Sequence, residues 1–253
     1  MKHRCFLIVP PLVALALFIG GGDISAQNVS HKLHQIESCV FEPELKLPQS
    51  MENRREELKG IIIGAQRRLK GFAVKYDWQY LLIDPIVEQV ELFESKEAYD
   101  THLRKTNPQE KDIAIPIGYS ANFEGSTFFA VAPEIYAKNV PQFVESDSYE
   151  KLLTHELAHR LHTKLVNGHE DKMGPIWFWE GFATFAASQF ENDRTMLNQQ
   201  EINNLLNDDK RGDYRKYNRI FKHFVKLIPL PEFVRRAASE KNLADWLIKN
   251  ANP

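Results

Sequence analysis

The sequence predicts an α+β fold in which a small mixed β-sheet packs on one central helix and a mostly helical part follows. Apolar, β-branched segments lie before residue 147, separated by turn residues, and helical periodicity dominates after it. The chain has 253 residues, of which 43% are hydrophobic and 26% are charged. This composition provides enough apolar surface for a compact core and excludes a wholly disordered chain.

The first 26 residues have the features of a secretory signal peptide. A basic start precedes an apolar run over residues 5–19, and Ser25 and Ala26 provide small residues for cleavage. The apolar run is shorter than the roughly 20 residues that a membrane-spanning helix needs. We therefore expect cleavage near Ala26 and a mature protein outside the cytoplasm, periplasmic or secreted, with no membrane attachment beyond the signal peptide.

The mature chain is expected to consist of a flexible lead-in over residues 27–50 and a single domain over residues 51–253. The lead-in is polar and contains two prolines. Within the domain, residues 51–146 are predicted to form a helix and the sheet. Residues 147–253 are predicted to form the helical part.

Six segments before residue 147 have a recognisable pattern. Apolar residues recur at helical spacing over 52–69, and Ser95 is placed to cap a second, short helix. Asp84-Pro85 and residues 122–125 are predicted turns between apolar, β-branched segments. The predicted strands cover residues 78–83, 86–93, 113–119 and 126–132.

An H-E-x-x-H motif at residues 155–159 is the most specific chemical pattern in the chain. Asp147 and Glu150 are predicted to form a capping box that starts the helix carrying this motif. The apolar side of that helix is formed by Tyr149, Leu153, Leu157, Leu161 and Leu165. At about 100° per residue, His155 and His159 differ by only about 40° and point to the other side.

Two imidazoles one helical turn apart can bind one tetrahedral zinc ion. Glu156 lies about 100° from His155, beside the metal position, so it can act as a general base toward a metal-bound water. A catalytic zinc needs a third protein ligand and one open position. Glu180 is the predicted third ligand, because it is an isolated carboxylate in the strongly apolar helix that Gly174-Pro175 begins.

The spacing of these motifs resembles that of the gluzincin zinc metallopeptidases, the clan of thermolysin and the membrane alanyl aminopeptidases. Twenty residues separate His159 from Glu180, and a W-x-x-E-G-F-A run covers residues 177–183. Both features are similar to those of the aminopeptidase branch, although Phe185 stands where that branch usually has tyrosine. The resemblance covers residues 147–191.

The resemblance implies an oxyanion-stabilising tyrosine or histidine further along the chain. Tyr214 is the first candidate for this donor, and Tyr217 and His223 are the alternatives. In gluzincins an edge strand of the sheet binds the substrate backbone, and the segments at 113–119 and 126–132 are the candidates here.

Glu124 corresponds in the resemblance to the glutamate that binds the free amino terminus of aminopeptidase substrates. Only the glutamate of that motif is present here, and an acidic residue in a solvated hairpin turn is the other interpretation. The choice between endopeptidase and aminopeptidase therefore remains open at this point.

The sequence thus predicts a zinc metallopeptidase with one Zn²⁺ per chain, which hydrolyses peptide or protein substrates with water activated by Glu156. The alternative is a catalytically silent, protease-like zinc-binding module that recognises a protein or peptide partner, and Glu156 argues against it. A third interpretation is an H-E-x-x-H match on a core helix without metal. Nucleic acid is excluded as a main partner, because 32 Lys+Arg are balanced by 34 Asp+Glu.

Overall fold

A computed structural model of the chain describes residues 40–106, 114–208 and 212–250. Within these ranges the predicted α+β class is confirmed, with one small mixed sheet and a helical C-terminal part. No helix in the described ranges combines the length and the apolar character needed to cross a membrane. The predicted signal peptide lies outside the described residues, and so do the first residues of the lead-in, 27–39.

The sheet has four strands in the order β1-β2-β4-β3. They are β1 (Glu44–Lys46), β2 (Gln89–Phe93), β3 (Ala121–Glu124) and β4 (Thr127–Val131). Strands β1, β2 and β4 run parallel, and β3 pairs antiparallel with β4 through a two-residue turn at Gly125 and Ser126. Gly125 has a φ of 59°, which suits a tight hairpin turn. Strand β3 is therefore an edge strand of the sheet.

Nine α-helices are found in the described ranges. They are α1 (Arg55–Lys75), α2 (Lys96–Thr106), α3 (Pro133–Asn139), α4 (Ser148–Leu165), α5 (Ile176–Ala186), α6 (Gln199–Leu206), α7 (Tyr214–Val225), α8 (Leu230–Ser239) and α9 (Leu243–Asn250). The predicted cap of α2 is confirmed, because the Ser95 hydroxyl accepts a hydrogen bond from the Ala98 amide at 3.1 Å.

Two of the four predicted strands are wrong. Residues 79–82 form a short 3₁₀ helix, which continues the chain reversal at Asp77 (φ 60°) and buries Trp78 and Leu82. Residues 114–119 contain no strand, and residue 113 lies outside the described ranges. The predicted turn at 122–125 is shifted, since its first three residues belong to β3.

The lead-in is not a flexible segment in its described part. The side-chain amide of Gln66 exchanges two hydrogen bonds with the backbone of Phe41, at 3.2 and 2.8 Å. Strand β1 then pairs with β2 at the edge of the sheet opposite β3. Residues 41–46 are therefore anchored to α1 and to the sheet.

Helix α4 lies between α1 and α5, and it also contacts the edge strand β3. The predicted capping box at its start is wrong, because the N-cap residue Asp147 has a left-handed backbone (φ 57°) and no capping hydrogen bond from its side chain. The Glu150 carboxylate instead accepts hydrogen bonds from Arg68 of α1, the shorter at 2.7 Å. A tertiary ion pair therefore replaces the local cap.

His162 of α4 is an internal histidine without a polar environment. It is completely buried, and neither ring nitrogen has a hydrogen-bond partner among the described residues. Its ring packs against Phe182 and Phe178, with centroid distances of 4.6 and 5.7 Å. Burial, with a smaller contribution from the charge of the nearby His159, lowers the pKa of His162 to about 3.

We expect His162 to make the fold sensitive to acid. In the unfolded chain its pKa is about 6.5. Below that pH the imidazole is therefore protonated in the unfolded state but stays neutral in the folded state. Between pH 8 and pH 5 the folded state should lose about 2 kcal/mol relative to a His162→Leu variant. Urea unfolding of both proteins in EDTA at the two pH values measures this difference. A stability difference independent of pH would contradict the assignment.

Candidate metal centre

Helices α4 and α5 bring three potential metal ligands together. His155 and His159 project from one face of α4, and their Nε2 atoms are 3.1 Å apart. Glu180 projects from α5, and its Oε2 atom lies 3.1 Å from His155 Nε2 and 3.5 Å from His159 Nε2. Ligand atoms of the three residues all lie within 4.8 Å of one another, so the group can hold a metal ion.

The position of Glu180 depends on a close approach of two helices. Helix α5 packs tightly on α7, and the neighbouring residue Gly181 lies at the contact. A Cβ atom at Gly181 would be 2.8 Å from Phe221 Cβ and 2.9 Å from the Tyr217 carbonyl oxygen. Only glycine fits this approach without a shift of α7, which explains the Glu-Gly pair in the sequence.

The protonation of the cluster follows from burial and mutual contact. Burial lowers the pKa of His155, but its hydrogen bonds with Glu180 and Gln189, together with the negative charges of Glu180 and Glu156, outweigh burial and raise that pKa. Burial raises the pKa of Glu180, but hydrogen bonds from His155 and His159, together with the positive charges of these histidines, outweigh burial and hold that pKa well below its usual range. The carboxylate is therefore ionised, as a metal ligand must be.

A cleft of about 510 Å³ adjoins the cluster, and Glu156 lines it together with both histidines. Edge strand β3 forms another wall, through residues 121–124. Trp179 also borders the cleft, and its ring lies 5.1 Å from that of His159. Burial raises the pKa of Tyr136, another lining residue, and the nearby charges of Glu145 and Glu156 raise it further.

The three candidates for the oxyanion donor occupy different places. Tyr214 begins α7 and lies in the cleft, where its hydroxyl donates to Glu180 Oε1 at 3.3 Å. Tyr217 is buried, and its ring is 6.1 Å from that of Tyr214. His223 lies nine residues after Tyr214, about 13 Å along the helix, and lines cavities elsewhere. The structure thus places Tyr214 at the cluster and His223 far from it.

Glu124 lines the same cleft at the end of β3, next to the hairpin turn. Its Oε1 atom is buried and has no hydrogen-bond partner among the described residues. The prediction of a solvated acidic residue in the turn is therefore wrong for this oxygen. The edge strand beside the site is β3, which is neither of the two predicted segments, because residues 127–131 form the interior strand β4.

One residue near the cluster has no recognisable pattern in the sequence. Gln189 follows the end of α5, and its Oε1 atom lies 3.0 Å from His155 Nδ1. A glutamine beyond a helix end is unremarkable in a sequence, and this contact depends on the path of the backbone after α5.

Comparisons with protein-family models, with curated proteins and with solved structures give no match for this chain.

We expect Glu180→Ala to weaken zinc binding at least about 100-fold, because the site loses one of its three ligands. The dissociation constant is measured by competition with a chromophoric chelator, and circular dichroism checks that the variant is folded. Glu170→Ala is the matched control, because Glu170 lines the same cleft outside the cluster. Unchanged zinc affinity in Glu180→Ala would remove this residue from the ligand set.

Proposed function

We propose that the protein is a zinc-dependent peptidase that hydrolyses peptide bonds in its central cleft. The convergence of His155, His159 and Glu180 beside Glu156 is the observation that carries this proposal. Two imidazoles and one carboxylate are a ligand set that catalytic zinc sites use, with a fourth position left for water or substrate. A metal explains why an ionised Glu180 carboxylate is completely buried in an apolar helix.

The bound zinc ion would supply a Lewis acid that polarises the scissile carbonyl and lowers the pKa of water. Glu156 lines the cleft beside the two histidines and follows one of them directly in α4. We assign to it the general base that takes a proton from the attacking water and passes it to the leaving amine. A general base of this kind has no purpose in a purely structural metal site.

Tyr214 is assigned the oxyanion donor. Its hydroxyl already lies at the cluster, 3.3 Å from Glu180 Oε1, so a small rotation redirects its proton to a substrate oxygen. Tyr217 is less suitable, because it is almost completely buried and does not line the cleft.

Two features of the cleft suit an extended peptide. Strand β3 has no strand partner on its outer side among the described residues, so its backbone is available to pair with a substrate strand. A second cavity of about 630 Å³ shares Tyr119, Phe143 and Tyr214 with the cleft. Its remaining lining is mainly apolar and includes Ile115 and Val140, which fits an apolar side chain of a substrate.

We expect Glu156→Gln to lower kcat by about 10²–10⁴-fold, since the amide cannot accept the proton from water. The measurement is cleavage of a mixed peptide library, read by mass spectrometry. Zinc affinity should stay within about threefold of native, because Glu156 is not a ligand. Glu170→Gln is the control in the same cleft.

The outcome also separates the two functional hypotheses. If native protein and Glu156→Gln both bind zinc and are equally inert toward every library member, the peptidase proposal fails. A catalytically silent zinc-binding module that recognises a protein or peptide partner would then be the better explanation.

Within this proposal, Glu124 is assigned the binding of the substrate's free amino group. One of its carboxylate oxygens is buried at the cleft wall and has no hydrogen-bond partner in the part of the chain that the structure describes, and an ammonium group would satisfy it. This assignment makes the enzyme an aminopeptidase.

For a peptide with a free amino terminus, we expect Glu124→Gln to lower kcat/KM by about 10–100-fold, through loss of one charge-assisted hydrogen bond. Cleavage of the same peptide with an acetylated terminus should be slow in both proteins. Mass spectrometry of the products provides the measurement. Internal cuts at equal rates in free and acetylated peptides would overturn the aminopeptidase assignment and leave an endopeptidase.

A further inference from the structure

The ring nitrogen of His155 that faces away from the cluster, Nδ1, contacts a neutral side chain. The Nε2 atom of the same imidazole faces Glu180 and His159, while its Nδ1 atom lies 3.0 Å from the side-chain oxygen of Gln189. A carbonyl oxygen can only accept a hydrogen bond, so Nδ1 must carry the proton. In the neutral imidazole that a metal requires, the lone pair then lies on Nε2, which is the atom directed at the metal position.

The backbone around Gln189 is fixed by several contacts. Its amide donates to the Thr184 carbonyl at the end of α5, at 2.9 Å. The flanking residues Ser188 and Phe190 both have left-handed backbones, with φ of 55°. The Phe190 amide donates to Glu145 Oε1 at 3.1 Å. None of these contacts uses the side chain of Gln189, so the turn does not depend on it.

Other polar side chains near the ligands do not share this role. Thr184 lies one turn after Glu180, but its hydroxyl donates to the Gly181 carbonyl of its own helix. His159 Nδ1 is buried and has no hydrogen-bond partner among the described residues. Among the contacts that the structure describes, orientation of a ligand imidazole from its far side thus falls to Gln189.

We propose that Gln189 is a positioning residue of the metal site, which fixes the tautomer and the ring orientation of His155. The proposal rests on the metal binding that the proposed function requires, but it does not depend on peptide hydrolysis. A ligand imidazole that is free to rotate or to place its proton on Nε2 must reorganise before it binds metal. Loss of such a partner typically weakens metal binding by about 10–100-fold.

Two substitutions separate the hydrogen bond from the shape of the side chain. Gln189→Met keeps a similar length and removes the acceptor, so we expect zinc affinity to fall about 10–100-fold. Gln189→Glu keeps an acceptor oxygen, so its affinity should stay within about threefold of native or rise. Gln200→Met, at an exposed position of helix α6, is the control for the same chemical change. Chelator competition gives the dissociation constants, and urea unfolding gives the stability.

A second measurement on the native protein does not need any variant to fold. In the zinc-loaded protein, long-range ¹H–¹⁵N correlation spectra of histidine should show His155 protonated at Nδ1 and bare at Nε2. The Nδ1 proton should exchange with solvent more slowly than in Gln189→Met. A purely structural role would lower the stability of both variants equally and would not distinguish Met from Glu.

The outcomes are distinct. Equal zinc affinity in native protein and Gln189→Met, or a His155 ring protonated at Nε2 with zinc bound, overturns the role of Gln189 and leaves the peptidase proposal intact. A native protein that takes up no zinc overturns both. Normal zinc affinity of native protein without any peptide cleavage overturns only the peptidase.

Discussion

Burial of one ionised carboxylate is the constraint on which the rest of the structure depends. Removing a carboxylate from water costs several kcal/mol, and an apolar helix cannot compensate for this. Glu180 is completely buried, and its carboxylate contacts two imidazoles from α4 and the hydroxyl of Tyr214 from α7. Helices α4, α5 and α7 must therefore meet at this point. The close approach of α5 and α7 is possible because Gly181 has no Cβ atom.

The two sides of the cleft have complementary properties. Helix α4 presents the imidazoles and Glu156, which are suited to acid–base chemistry at a metal. Strand β3 presents a backbone edge that has no strand partner in the described ranges, and it carries the partly buried Glu124; both features are suited to holding an extended peptide. In the proposed function, the chemistry belongs to helix α4 and the recognition belongs to the edge of the sheet, so each would be fixed by a different part of the core.

The features that depend on local geometry could be predicted from the sequence. Helical periodicity determines that His155 and His159 share a face, and the apolar surroundings of Glu180 indicate that it needs a partner. Predictions that depend on distant contacts were less successful. The Glu150 carboxylate does not cap the helix, because it pairs with Arg68, which is 82 residues away in sequence. Residues 79–82 form a 3₁₀ helix instead of an extended strand, directly after the left-handed backbone of Asp77.

Gln189 illustrates the same limit within the site. Its approach to His155 depends on the left-handed backbones of Ser188 and Phe190. Neither residue is a glycine, so the sequence does not indicate a left-handed turn here. The edge strand beside the site is likewise β3 and not one of the two segments that the sequence predicts, because strand order in a sheet is set by non-local pairing.

The most direct test of the metal centre is an anomalous-diffraction structure of the zinc-loaded protein. It should show one zinc ion bound by His155 Nε2, His159 Nε2 and a Glu180 carboxylate oxygen, at roughly 2.0–2.2 Å, with a fourth position open to the cleft. A fully loaded protein whose zinc lies elsewhere, with Glu180 still paired only to protein groups, would contradict it.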